Sequence, residues 1–147
     1  MRVIAIDPHI KKPYAFALFE NGRLVSSGNS TLAEMHRALN KSVDLVVIET
    51  QYLQMNFKIA ADLACSKGKI LGWCETHDIP YCEVYPSQWQ ANVGYTKKKG
   101  ETKDEVKLKR QRIRANLKRT YGVDQEDQQD CILMFHWWRD NVANGDV

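Results

Sequence analysis

Two short runs decide how this chain is read: RVIAID at residues 2–7 and VDLVVIET at residues 43–50. Both are rich in β-branched residues, and each runs into an acid, Asp7 in the first and Glu49 in the second. Asp and Glu are poorly represented in strands, so an acid closing each run points to work other than folding. The second run is too continuously apolar for a half-exposed strand and reads as a central parallel strand covered on both faces. If the two are parallel neighbours, their ends lie roughly 5 Å apart. Asp7 and Glu49 then leave the sheet at one edge, where ligands bind in open α/β sheets. Carboxylates gathered there repel one another unless a cation joins them.

Working outward, residues 14–19 read as a second strand. Asn21-Gly22 is a hairpin signal leading to a third strand, Arg23 to Ser27. Ser30 or Thr31 caps a short helix whose inner face is Leu32, Met35 and Leu39. A longer helix is expected from Phe57 to Thr76, and Ile79 to Tyr85 makes a fifth strand stopped by Pro86. Within the long helix Ala60, Ala64, Gly68 and Gly72 form a ridge of small side chains. That ridge packs either on the protein's own sheet or on an equivalent helix of a second subunit. A basic helix over 102–121, with Val106, Ile113 and Leu117 inward, precedes a last helix that begins near Glu126. The result is a single α/β domain over residues 1–147: three antiparallel strands, then two parallel, with helices on both faces.

At 147 residues, 44% hydrophobic and 27% charged, the composition is that of a globular domain. No run reaches the roughly 18 apolar residues of a membrane span, and no secretory signal opens the chain, so a cytoplasmic protein is expected. Cys65, Cys74, Cys82 and Cys131 lack zinc-site spacing and read as reduced core residues. The net charge of +3 conceals a concentration of cations. Lys97, Lys98, Lys99, Lys103, Lys107, Lys109, Arg110, Arg112, Arg114, Lys118 and Arg119 are about half of all Lys and Arg, within one short segment. Beside a carboxylate pocket, such a segment suggests a polyanion whose phosphate meets metal ions.

The segments AIDP at 5–8, VVIE at 46–49, KDEV at 103–106 and DQQD at 127–130 together resemble the RuvC-type Holliday junction resolvases, of the ribonuclease H-like superfamily. The resemblance spans nearly the whole chain, and the four acids in context are its specific part. It implies a homodimeric, Mg²⁺-dependent endonuclease that makes paired nicks across a four-way DNA junction, with Mn²⁺ able to substitute. It implies Asp7, Glu49, Asp127 and Asp130 as ligands of two metals, and Lys103 as the basic residue near the scissile phosphate. Tyr52 would be the aromatic wedge at the junction centre, and the helix carrying Ala60 to Gly72 the dimer helix. Lys97, Lys98, Lys99, Lys107 and Arg110 would join Tyr52 and Lys103 in holding DNA. Two departures stand out: His9 replaces the family's usual Gly after Asp-Pro, and Gln88-Trp89-Gln90 stands where a second catalytic lysine is expected. The short chain looks like a phage or mobile-element member, acting in the host cytoplasm.

Hard cations take oxygen ligands, which accounts for carboxylates rather than Cys. Asp127 and Asp130 share one helix face by their i, i+3 spacing, although they could instead serve the helix dipole with Asp124 as cap. His9 reads as a loop histidine ahead of a proton relay, and Trp73, Trp89, Trp137 and Trp138 as core. Other readings stay open: a ribonuclease H-like nuclease for flaps, Y-forks or RNA precursors, or a non-catalytic DNA-binding protein. An actin-like kinase would need a Gly-rich phosphate loop, and Asp7-Pro-His-Ile-Lys-Lys12 is not one.

Overall fold

The computed structural model describes residues 1–51 and 56–144. The chain runs β1 (Arg2–Asp7), β2 (Tyr14–Glu20), β3 (Arg23–Ser30), α1 (Leu32–Leu39), β4 (Leu45–Glu49) and α2 (Phe57–Thr76). It continues through β5 (Tyr81–Val84), α3 (Pro86–Asn92), α4 (Lys103–Tyr121) and α5 (Glu126–Trp138), which ends in a π-helical turn, Arg139–Ala143. The five strands form one sheet in the order β3-β2-β1-β4-β5. β1 is antiparallel to β2 and β2 to β3, whereas β4 is parallel to both β1 and β5. This is the mixed sheet expected from the sequence. Among the described residues no helix is long and apolar enough to cross a membrane.

Local chemistry explains most boundaries. Asn21 and Gly22 both take positive φ, 50° and 81°, which matches the twist of a tight two-residue hairpin. β3 runs three residues past the expected Ser27, because the ladder continues until Ser30 pairs with Tyr14. Thr31 caps α1 by accepting from the Glu34 amide at 3.2 Å. β5 is shorter than the expected span: the Ile79 amide is taken by the carbonyl of Cys74, and Pro80 has no N–H to give. Thr102 and Glu105 form a reciprocal capping box at the start of α4, and Gly122 closes that helix with φ of 71°.

The sheet separates two cores. On one face Ile4, Ile6, Val46 and Ile48 pack with Met35 and Leu39 of α1 and Ile70 and Cys74 of α2. On the other, Val3, Ala5, Ala17, Phe19 and Val47 pack against α5, joined by Trp89 of α3 and Leu117 of α4. The Phe19 and Phe135 rings stack there with centroids 3.7 Å apart. Of the four tryptophans expected in the core, Trp89 and Trp138 are buried and Trp137 is partly so. Trp73 is likewise partly buried, packed against the other core, with its ring stacked between His36 and His77. Cys65 is exposed, contrary to its reading as core, and all four cysteines are free.

The small-residue ridge resolves in one direction. Ala60 is buried, but Ala64, Gly68 and Gly72 are exposed. A Cβ added at either glycine would meet nothing within 4 Å. Packing of Ala64, Gly68 and Gly72 on the protein's own sheet is therefore excluded, while Ala60 faces inward. The other face of α2 makes the intramolecular contact through Ile70 and Cys74.

Because α5 supplies the apolar floor under the sheet edge, it should tolerate truncation poorly. Ile132 is fully buried, so Ile132→Ala should cost about 2–5 kcal/mol in urea unfolding. A change within about 0.5 kcal/mol would show that α5 is peripheral to the fold.

Candidate metal centre and basic groove

Alternation along the strands aims the two strand-end acids. Val3 and Ala5 face the α5 core, so Asp7, two residues on, faces the same side; Val47 does the same for Glu49. Ile6 pairs with Ile48 in the parallel ladder, leaving Asp7 and Glu49 as the next residue on each strand. The first turns of α5 carry Asp127 and Asp130 on one face. Asp124 is not the helix cap: that position is Gln125, without a side-chain capping bond, and Asp124 pairs with Lys118 at 2.9 Å. Asp127 still lies in the first turn, where the dipole favours a negative charge.

His9 is drawn into the cluster. Its Nε2 lies 3.4 Å from Asp7 Oδ2 and 3.6 Å from Asp127 Oδ2. Its Nδ1 lies 2.8 Å from the carbonyl of Pro13. The His9 carbonyl in turn accepts from Ser66 Oγ at 2.7 Å, which ties the loop to α2. The hydrogen bond to Asp7 lifts the His9 pKa to about 9 against the opposing effect of burial. The loop location was legible in the sequence; the ring's place between two acids was not.

Glu49 and Asp130 each have a partner of their own. Glu49 is 7% exposed and accepts from Gln51 Nε2 at 2.6 Å and from Trp89 Nε1 at 2.8 Å. Burial, then the nearby charges of Asp7 and Asp130, push its pKa up to about 8. Asp130 Oδ1 stands 2.7 Å from Arg114 Nη1, an ion pair close in distance but misaligned as a hydrogen bond. Burial raises the Asp130 pKa to about 7, with Arg114 pulling the other way. Arg114 is held over the ring of Tyr95, 5.0 Å from its centroid, and donates to the Tyr95 hydroxyl at 3.1 Å. Trp89 thus occupies the segment where the resemblance called for a lysine, and it meets the carboxylate through an indole N–H rather than a charge.

Arg114, paired with Asp130, joins the cluster to a groove of about 540 Å³ that none of the four acids lines; its charged lining is Lys97, Lys103, Lys107, Arg110 and Arg114, with Glu126 as the one acid. On α4 the four positions 103, 107, 110 and 114 recur at helical spacing, so the stripe is built by one face. Not every cation of the segment joins it. Lys98, Lys109 and Arg112 line a separate groove on the opposite side of α4, and Lys99 is exposed and lines neither. Lys109 is also paired with Glu101 at 2.8 Å. Tyr52 lies outside the described residues.

The donors suit a divalent cation. One ligand atom each from Asp7, His9 and Asp127 falls within 4.8 Å of the others. Glu49 and Asp130 are not part of that tight group, but both sense Asp7 electrostatically. No protein-family model matches the sequence, and no curated protein does. Solved structures do match. Thermus thermophilus RuvC in complex with Holliday junction substrate aligns over 97% of this chain and 97% of its own, at 16% identity and a TM-score of 0.66. A second Thermus thermophilus RuvC structure aligns over 95% and 96%, at 14% identity and a TM-score of 0.61. The Fowlpox virus resolvase, complexed with substrate Holliday junction DNA, covers 94% and 99% at 15% identity and a TM-score of 0.52.

The fold is that of the RuvC-type resolvases. Within this ribonuclease H-like frame the acids stand at the open edge of the two parallel strands, and the basic groove adjoins them. What the sequence reading missed were three resident partners of the acid cluster, Trp89, Gln51 and Arg114, and it ranked His9 as a loop residue ahead of a role in the site. The substitution of His for Gly directly after Asp7-Pro8 was the available signal for His9. For Arg114 the signal was its helical spacing from Lys103.

Glu49, Asp130 and His9 all hold protons more tightly folded than unfolded, so the folded state binds more protons and loses stability as pH rises. The carboxylate contributions are complete below their ordinary range and disappear through about pH 7 for Asp130 and about pH 8 for Glu49. That of His9 is complete below 6.5 and disappears through about 9. The metal-free protein should therefore melt at a lower temperature at about pH 8.5 than at about pH 5.5, with Glu49→Gln flattening the slope. An unchanged slope in Glu49→Gln would remove that carboxylate from the coupled cluster.

Proposed function

We propose that this protein is a metal-dependent endonuclease that resolves four-way DNA junctions by paired phosphodiester hydrolysis. The observation that supports this most is the convergence of Asp7 and Glu49, from adjacent parallel strand ends, with Asp127 and Asp130 of α5 beside a basic groove. In this reading the four acids hold two Mg²⁺ ions, or Mn²⁺ in their place. When bound, the metals activate a water and stabilise the leaving 3′ oxygen. Asp7, at the end of the central strand β1, and Glu49, aimed by Trp89 and Gln51, would be among the residues that hold them. Lys103 faces the groove and neutralises charge that builds on the phosphate.

Lys97, Lys107 and Arg110 hold the DNA backbone along the same groove, which favours them over Lys98 and Lys99 among the cations of the segment. Paired nicks at a two-fold symmetric junction require two copies of the site. The exposed ridge of Ala64, Gly68 and Gly72, with Phe57 73% and Ile59 47% exposed at the start of the same helix, supports a homodimer through α2. Tyr52 is the proposed wedge at the junction centre.

The deciding experiment incubates the protein with a labelled immobile junction, with and without Mg²⁺. Symmetric nicks that require the metal support the reading; nicks on flaps or Y-forks but not on junctions would redirect it to another branched substrate. Asp7→Asn or Glu49→Gln should lower nicking by at least about a hundredfold, the scale of losing one preorganised electrostatic group. Junction binding should stay intact or strengthen, since repulsion falls. Normal nicking by either variant would sink the metal assignment.

Binding should also weaken steeply with salt through counterion release. Lys107→Ala and Arg110→Ala should each reduce the salt slope by about one. Slopes unchanged from wild type would take the groove out of the DNA interface.

A further inference from the structure

We propose that His9 is itself a metal ligand, binding through Nε2 the cation held by Asp7 and Asp127, and that it tilts this centre toward first-row transition cations over Mg²⁺. This deepens the metal centre proposed above and rests on that part of the reading, not on the identity of the DNA substrate. The argument begins with the ring's orientation. The Pro13 carbonyl can only accept, so at 2.8 Å it requires the hydrogen on Nδ1. Nε2 is then the nitrogen left to face Asp7 and Asp127, at 3.4 and 3.6 Å. A backbone carbonyl that fixes the tautomer of a histidine in this way is the usual support of a metal-binding imidazole.

The loop carrying the ring is anchored as well. Ser66 Oγ donates to the His9 carbonyl at 2.7 Å, and the buried Tyr14 hydroxyl donates to the Ser66 carbonyl at 2.9 Å. These bonds hold the loop between β1 and β2 against α2, so the imidazole is presented from a supported backbone. The three donor atoms already lie within 4.8 Å of one another, so small side-chain shifts bring them onto one ion. A metal entering here displaces the proton between Nε2 and the carboxylates to solvent.

The donor set determines the preference. Carboxylates alone suit Mg²⁺, whereas an imidazole adds affinity along the series from Mn²⁺ upward and little for Mg²⁺. The competing role for His9 is a fixed imidazolium that balances Asp7 and Asp127 and must be pushed aside by metal. The two roles predict opposite effects of removing the ring.

The test uses the full chain without DNA and Mn²⁺ alone as the probe. Pulsed electron paramagnetic resonance of bound Mn²⁺ should show a directly coordinated imidazole nitrogen. The other histidines lie elsewhere: His36 and His77 stack on Trp73, and His136 meets Tyr121. His9→Gln should abolish the nitrogen coupling and weaken Mn²⁺ binding by at least about tenfold, a loss no smaller than that of an outer-shell partner. Mg²⁺ binding should fall by much less. Bound Mn²⁺ without nitrogen coupling in the wild type would overturn the proposal, as would equal or tighter Mn²⁺ binding by His9→Gln. The wild-type spectrum decides even if the variant fails to fold. Junction nicking without nitrogen coupling would remove His9 alone, whereas coupling without nicking would remove only the nuclease reading.

Discussion

The mutual repulsion of four carboxylates, brought to one edge of a sheet, is the constraint on which the rest of this structure depends. Parallel pairing of β1 with β4 puts Asp7 and Glu49 side by side, and α5 brings Asp127 and Asp130 to the same edge. Burial strengthens the repulsion at Glu49 and Asp130, where solvent screens it least. The protein answers with local partners: His9 between Asp7 and Asp127, Arg114 on Asp130, and the N–H groups of Trp89 and Gln51 on Glu49. Each partner comes from a different segment, so much of the fold converges on this edge.

The same constraint explains why α4 is placed as it is. Arg114 must reach Asp130 while stacking on Tyr95, and that contact fixes the face of α4 turned toward the cluster. Lys103, Lys107 and Arg110 follow on that face by helical spacing alone. A helix positioned to neutralise one buried acid therefore also presents a cationic stripe beside the others. Lys109 and Arg112 fall on the opposite side for the same geometric reason, where Lys98 of the preceding loop joins them. The basic segment is thus two surfaces, and charge counting along the chain could not divide it.

How much was legible can be judged from particular residues. The hairpin at Asn21-Gly22 and the bounds of α2 rest on local chemistry, and the structure has them where the sequence reading put them; of the two caps it offered for α1, Ser30 and Thr31, the structure takes Thr31. The ends of β3 and β5 differ because a ladder partner and a helix-end carbonyl, both non-local, decided them. The ridge of Ala64, Gly68 and Gly72 was visible as a period of four, but the period does not say which way a helix faces. Contacts of Ile70 and Cys74 on the other side settled that.

The sequence alone determined the order and type of the elements other than the short helix α3, which was not expected after Pro86, and the acids at the ends of two apolar strands, because these follow from periodicity and from residues out of place within a strand. It also carried the density of cations before and within the basic helix. Tertiary structure decided which groups touch those acids. His9, Trp89 and Arg114 are 118, 40 and 16 residues from their carboxylate partners Asp127, Glu49 and Asp130 by position in the chain. Contacts at such separations depend on strand register and helix rotation, which no local pattern encodes. That is why a lone histidine after Asp7-Pro8 reads as a loop residue in sequence and stands between two acids in the fold.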